Sequence, residues 1–304
     1  MKTVEEVTKD FLAKAKPKLK KSTFSGYSFT CERHIIPYFQ GMEISQLNNK
    51  TISDFVEYKI KNGGLAGAAL SPKTINDMVG LLSQIIKSHI QFDVDIEKPQ
   101  YIQEEISVLT ESDYNTLKAY LTIGTDSRKL GIIIVLLTGL RLGELCALKW
   151  EDIDLEKGII SINKTMQRIK VTDNTAKTKT KIVIDTPKSK ASSRTIPISR
   201  VLLSKLRKFK SADSCYVLTN TNKFVEPRTY QRNFKFYLEA CGIREYNFHV
   251  LRHTFATMAI SKGMDVKSLS MLLGHTDVSF TMKRYIHPNI EHRRTQIEKL
   301  AVGF

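Results

Sequence analysis

Tyr246-Asn-Phe-His249-Val-Leu-Arg252-His253-Thr254 opens the stretch on which the reading of this 304-residue chain turns. An apolar, helix-like run follows, then Leu273-Gly274-His275, and then Arg284-Tyr285-Ile-His287-Pro288. At 3.6 residues per turn, His249, Arg252 and His253 fall within about 100° of one another on a helix. Two histidines four residues apart raise the question of zinc. The metalloprotease form needs a glutamate directly after the first histidine, and Val250 stands there. Arg252 between the two imidazoles would also repel a divalent cation. A cationic cluster without acids suits an anion.

Charge points the same way. The chain holds 47 Lys+Arg against 31 Asp+Glu, a net of +16, and such an excess points to a polyanion, with DNA or RNA as the default. Hydrophobic residues at 41% are ordinary for a globular protein. Cys31, Cys146, Cys215 and Cys241 are far apart with no C-x-x-C pair, so they read as reduced, buried thiols rather than a disulfide or zinc framework. The N-terminus lacks an apolar signal core, and the longest apolar run, Gly131–Leu137, is too short to cross a bilayer. The expected location is the cytoplasm, in association with the nucleoid and not with a membrane.

The length allows two domains, each with its own core. Residues 1–98 show helical periodicity and almost no strand signal. Helices are expected over about 3–15, Thr23–Ile36, Thr51–Lys61 and, from the Ser71 cap and Pro72, to about Ile90. A basic run from Lys14 to Lys21 is broken by Pro17. Residues 99–107 read as a linker, because periodicity is lost after Phe92 and Pro99 blocks continuation. Thr110-Glu-Ser-Asp113 then opens a second domain, residues 108–304.

That second domain begins with helices over Thr110–Leu121 and Ser127–Thr138, broken at Gly139. Arg141 and Glu144 follow three residues apart, so on a helix the carboxylate can orient the guanidinium. Strands are expected at Gly158–Asn163, Lys181–Asp185 and Ser193–Ile198, joined as one three-stranded antiparallel sheet. From Lys164 to Lys210 there are 14 Lys+Arg and two acids. Helices near Val201–Lys210 and Thr229–Cys241 lead back to the opening stretch. The fold class is therefore α+β, mostly α with a small antiparallel β-sheet. Candidate contacts to a nucleic-acid backbone are Lys18, Lys20, Lys21, Lys73, Lys177, Lys179, Lys181 and Arg194.

Tyr285 completes the cluster. Most tyrosines in a partly apolar helix are core residues, and a phenol with a pKa near ~10 is a poor nucleophile unless a base and strong positive potential lie beside it. Arginines supply the potential and histidines the base. No acidic cluster of the kind that holds catalytic Mg²⁺ is apparent in the sequence, which disfavours a two-metal nuclease route.

Thr138-Gly-Leu-Arg141-Leu-Gly-Glu144-Leu, Phe248-His249-Val-Leu-Arg252-His253-Thr, Leu273-Gly274-His275 and Tyr285-Ile-His287 together resemble, in order and spacing, the signature boxes of the tyrosine recombinases, the phage integrase family. The resemblance runs from about residue 3 to 295. It implies an N-terminal helical, SAM-like core-binding domain and a mixed α/β catalytic domain, forming a C-shaped clamp on double-stranded DNA. It also implies that Arg141 and Arg252 bind the scissile phosphate, that Tyr285 attacks it to give a 3′-phosphotyrosine, and that His275 hydrogen-bonds it. His249 would be the general base or proton relay, and a turn lysine the general acid. Lys188 fits the family pattern better than its alternative, Lys190. Glu144 is expected to support Arg141, and His253 to be a structural helix residue. No metal or ATP is implied.

Partners implied by the resemblance are specific DNA sites, a homotetramer on DNA joined through the C-terminal tail, and accessory DNA-bending or directionality factors. Many phage integrases carry a further N-terminal domain for arm-type sites. This chain starts almost directly with the core-binding helices, so the expectation is that it resembles the simpler members or is missing that module. The Arg-Leu-Gly-Glu box and the polar segment around Thr172–Thr180 favour integration or excision of a mobile element, with chromosome- or plasmid-dimer resolution as the alternative. A type IB topoisomerase shares the residue types, but the Leu-Gly-His and His-x-Leu-Arg-His-Thr boxes argue against one.

Overall fold

The computed structural model describes residues 2–64, 69–101, 106–171, 178–186, 190–285, 294 and 297–298. The chain forms two compact units. One is Met1–Glu104 with Arg168–Lys181, and the other is Glu105–Gln167 with Ile182–Phe304.

In the first unit, α1 (Val4–Ala15) begins at a reciprocal cap: Glu6 N–H donates to Thr3 Oγ1 at 3.2 Å and Thr3 N–H to the Glu6 carboxylate at 2.9 Å. Helix α2 (Lys21–Thr30) runs without a break through a π turn at Cys31–Ile35 into the short α3 (Ile36–Tyr38). The π turn sits just ahead of Pro37, which has no N–H to give the helical ladder. Asn48 caps α4 (Asn49–Asn62), and Ser71 caps α5 (Pro72–Lys87), with Pro72 at its first position. Their apolar faces meet in one core built on Val4, Ile35, Phe39, Phe55, Leu82 and Ile85.

The second unit opens with α6 (Glu111–Thr122), capped by Thr110, and α7 (Ser127–Thr138), capped by Asp126. The α7 run Leu130–Leu136 is buried on every side, as its unbroken apolar sequence requires. Gly139 ends it in the left-handed region, at φ +69°. After α8 (Leu142–Ala147) come β1 (Ile153–Asp154), β2 (Ile159–Ile162), β3 (Thr165–Lys170), β4 (Thr180–Asp185) and β5 (Arg194–Pro197). Helices α9 (Arg200–Phe209), α10 (Pro227–Ala240), α11 (His249–Ser261), α12 (Val266–Leu273) and α13 (Val278–Tyr285) complete it. Helix α11 packs along α7, and Leu109 N–H donates to Thr254 Oγ1 at 2.9 Å, which ties the start of the unit to α11.

The strand pairing differs from the expected single sheet. The three-stranded sheet is β1-β2-β5, antiparallel, with Ile160 opposite Ile196 and both buried. The strand at Lys181–Asp185 pairs instead with β3 as a separate two-stranded ribbon. No residue of β4 is fully buried, and Ile182 packs only half-buried against the core, whereas Ile196 of β5 gives that sheet an inward face. The outer part of the ribbon, Arg168–Lys181, belongs to the first unit. There Ser25 Oγ donates to Lys170 C=O at 2.8 Å, and the Lys170 ammonium lies 2.7 Å from the centre of the Phe29 ring.

A Cβ on Gly139 would come within 2.5 Å of Phe255 and 2.9 Å of Leu273, in a left-handed backbone. Gly139→Ala should therefore cost about 2–4 kcal/mol, read as a lowered denaturant midpoint at unchanged slope. A midpoint equal to wild type would contradict this account of the α7 terminus.

Candidate active site

The site is assembled at the C-terminal end of α12. A helix leaves its last carbonyls without partners, and here three consecutive ones each receive an arginine. Arg194 Nε donates to Leu272 C=O at 2.5 Å, Arg252 Nη2 to Leu273 C=O at 2.7 Å, and Arg141 Nη2 to Gly274 C=O at 3.3 Å. Gly274, at φ +64°, lets the chain turn there, and His275 N–H returns to Ser270 C=O at 3.0 Å. A Cβ at residue 274 would meet Arg194 Nη1 at 3.0 Å and Ala191 C=O at 3.2 Å, so the close approach of arginine and strand requires glycine.

Glu144 holds the cluster from the other side. Its buried carboxylate receives Arg141 Nη1 at 2.8 Å and both Arg194 terminal nitrogens at 3.0 Å each, while also capping α8 by accepting Arg141 N–H at 2.9 Å. Burial alone would raise its pKa, but Arg194 and then Arg141 outweigh it, so the carboxyl stays ionised and its pKa is lowered. Arg252 is 2% exposed and also donates from Nη1 to Gly139 C=O at 2.7 Å. Burial and the nearby Arg141 pull its pKa down to about 9, which leaves it protonated at neutral pH.

Two histidines couple the arginines to the last helix. Arg252 Nη2 lies 3.0 Å from His275 Nε2 and can only donate, so that nitrogen accepts. The His275 proton then sits on Nδ1, which donates to Thr281 Oγ1 at 2.7 Å. Tyr285 is one helical turn beyond Thr281 on α13 and so shares its face. It is 8% exposed, and its hydroxyl lies 2.7 Å from His253 Nδ1. Burial raises the Tyr285 pKa, against the opposing pull of Arg252 and Arg284. The His249 ring packs edge-on to His253, with centroids 5.0 Å apart. Burial, reinforced by neighbouring cations, pushes His249 and His253 down to about 4 and His275 to about 3. All three imidazoles are neutral at pH 7, so the positive potential comes from arginine.

The structure thus brings together Arg141, Glu144, His249, Arg252, His253, His275 and Tyr285. Two expectations are corrected. Arg194 is not a surface contact for DNA: its side chain is 6% exposed and is spent on Glu144 and α12. The period-two alternation with buried Ile196 puts it on the inward face of β5, a signal present in the sequence. His253, expected to serve only the helix, faces the Tyr285 hydroxyl. Thr281, which the sequence did not single out, is four residues before Tyr285 and fully buried.

Lys177, Lys188 and His287 lie outside the described residues, as does the side chain of Lys190, whose backbone starts a 3₁₀ turn at Lys190–Ser192. Lys18, Lys21, Lys73, Lys179 and Lys181 are exposed and Lys20 half-buried, all on the first unit. Among the described residues, no three His, Cys, Asp or Glu side chains gather as a metal-ligand set, and no helix is long and apolar enough to cross a membrane.

Comparison with known proteins gives concordant matches. Residues 107–292 match the phage integrase family and residues 3–60 the phage integrase N-terminal SAM-like domain. A tyrosine recombinase XerC-like protein of Caldanaerobacter subterraneus subsp. tengcongensis is 27% identical over 275 residues, covering 84% of this chain and 65% of that relative. The ICEBs1 integrase of Bacillus subtilis strain 168 is 22% identical over 310 residues, covering 95% of this chain and 80% of the other. The fold is similar to that of the Tn1549 transposon integrase solved with transposon right end DNA, with a TM-score of 0.79 at 21% identity over 99% of this chain and 100% of that one. With its arginine cluster, its tyrosine and a family match spanning most of its length, this chain belongs to the phage integrase family, the tyrosine recombinases, which are site-specific recombinases needing neither metal nor ATP.

Proposed function

We propose that this chain cleaves and rejoins DNA at specific sites through a phosphotyrosine linkage to Tyr285, and that it serves the integration and excision of a mobile element. The observation that carries the reading is the pairing of a buried tyrosine hydroxyl with a neutral imidazole, beside guanidiniums held by protein carbonyls. In this reading Arg141 and Arg252 clamp the nonbridging oxygens of the scissile phosphate, as preorganised donors for the charge that develops there. Tyr285 Oη attacks phosphorus and the 5′ oxygen departs with a proton from Lys188, or from Lys190 in its place. The 3′-phosphotyrosine keeps the bond energy, so a 5′-hydroxyl from another duplex can reverse the step. His275 hydrogen-bonds the phosphate once its proton moves to Nε2, which then donates to a phosphate oxygen while Nδ1 accepts from the Thr281 hydroxyl.

Exchanging strands between two duplexes breaks four strands and needs four tyrosines, hence a homotetramer on DNA, with the C-terminal tail as its joint and accessory bending or directionality factors as regulators. The exposed lysines of the first unit would grip backbone phosphates, giving affinity that falls steeply with salt. The working place is the nucleoid. The likeness to the ICEBs1 integrase supports the mobile-element role, and the likeness to a XerC-like recombinase supports dimer resolution as the second reading.

Selection of bound and cleaved sites from a genomic fragment library supplies the target. On a nicked suicide duplex carrying that target, wild-type protein should give a slow-migrating covalent adduct in the presence of a chelator, and Tyr285→Phe none. An equal yield from Tyr285→Phe would end the proposal. For the proton donor, Lys188→Ala should slow cleavage more than Lys190→Ala, and the reverse ranking would reassign the acid.

A further inference from the structure

We propose that His253, rather than His249, takes the phenolic proton from Tyr285 as the tyrosine attacks. The proposal rests on the strand-transfer reading above and deepens it. Three observations carry it.

The first is contact. His253 Nδ1 stands 2.7 Å from the Tyr285 hydroxyl, within the range for direct proton transfer, whereas His249 packs against the His253 ring.

The second is rigidity. His253 directly follows Arg252 on α11, whose guanidinium is locked to the Gly139 and Leu273 carbonyls, and precedes Thr254, which is locked to Leu109. Phosphate clamp and proton acceptor are thus consecutive residues of one anchored helix, so the base is held at a fixed place beside the clamp.

The third is protonation state. A neutral imidazole whose Nδ1 accepts from the phenol carries its proton on Nε2 and has an open lone pair where the proton must go. His249, Arg252 and Arg284 face it and disfavour its protonation in the free protein. A bound phosphodiester brings the negative charge that offsets them, so the imidazole becomes a better base when substrate arrives.

The step balances as follows. The Tyr285 Oη–P bond forms while the P–O5′ bond breaks. The phenolic proton moves to His253 Nδ1, leaving an imidazolium, and the 5′ oxygen takes a proton from the lysine acid. In rejoining, the imidazolium returns its proton to the phenolic oxygen as the P–Oη bond breaks.

The test uses the full chain and the nicked suicide duplex. Wild type and Tyr285→Phe come first: if wild type forms no adduct, the strand-transfer reading fails and this proposal with it. Given an adduct, His253→Ala and His253→Gln should bind the duplex within about threefold of wild type but form the adduct about 10²–10⁴-fold more slowly. Added imidazoles should rescue His253→Ala, with rates that follow the pKa of the imidazole used, a dependence a merely structural residue would not produce. Glutamine can hydrogen-bond the phenol but cannot take its proton, so it also decides the matter if the alanine variant misfolds. Full-rate cleavage by His253→Gln, or a larger and imidazole-rescued loss in His249→Ala, would overturn the assignment.

Discussion

The C-terminal carbonyls of α12 and the carboxylate of Glu144 together make it possible to bury Arg194 and Arg252 and half-bury Arg141 side by side. Each guanidinium removed from water loses several kcal/mol of hydration, and mutual repulsion among three adds to that. The helix end offsets part of it, since its partial negative charge and unpaired carbonyls suit cations. Glu144 supplies the full countercharge at distances of 2.8–3.0 Å. The cluster exists because one helix stops at Gly274 and one glutamate caps α8 beside it. Arg194 never needs to meet substrate for this arrangement to depend on it: it holds Glu144, and Glu144 holds Arg141.

Much of this was legible in the sequence. Caps at Thr3, Ser71 and Thr110, the apolar run of α7 and the break at Gly139 follow from local rules, and the structure has α7 at Ser127–Thr138, the span read from the sequence. The four boxes gave the members of the site. What the sequence did not give was direction. A box assigns His253 to a helix, and only tertiary packing decides that its Nδ1 meets Tyr285, 32 residues away. Strand partners were also hidden, because β4 has no fully buried residue to fix its register against β3, whose inward residues are Met166 and Ile169. Arg194 was misjudged for a simpler reason. A cation amid thirteen others reads as surface, and its alternation with Ile196 was the weaker signal.

The imidazoles and the guanidiniums have separate duties. Charge is carried by arginine, whose protonation survives burial, and proton movement is left to histidines kept neutral by the same burial. Thr281 joins the two systems, since it receives His275 from the arginine cluster and sits one turn from Tyr285 on α13. The helix that carries Tyr285 is therefore tethered to the arginine cluster by a chain of hydrogen bonds and not by apolar packing alone.

Counted as charges, the buried cluster holds three guanidiniums against one carboxylate, a surplus of two. A phosphodiester at rest brings one negative charge and leaves that surplus half matched. In the proposed reaction the five-coordinate group carries two, so the surplus attracts it more strongly than the phosphodiester at rest, and the proton taken up by His253 adds a further positive charge beside it. The fourth ionic member, Glu144, offsets one of the three guanidinium charges and so limits the repulsion that placing them side by side would otherwise cost. In that reading, preference for the more highly charged species follows from the positive sign of the surplus, before any side chain moves.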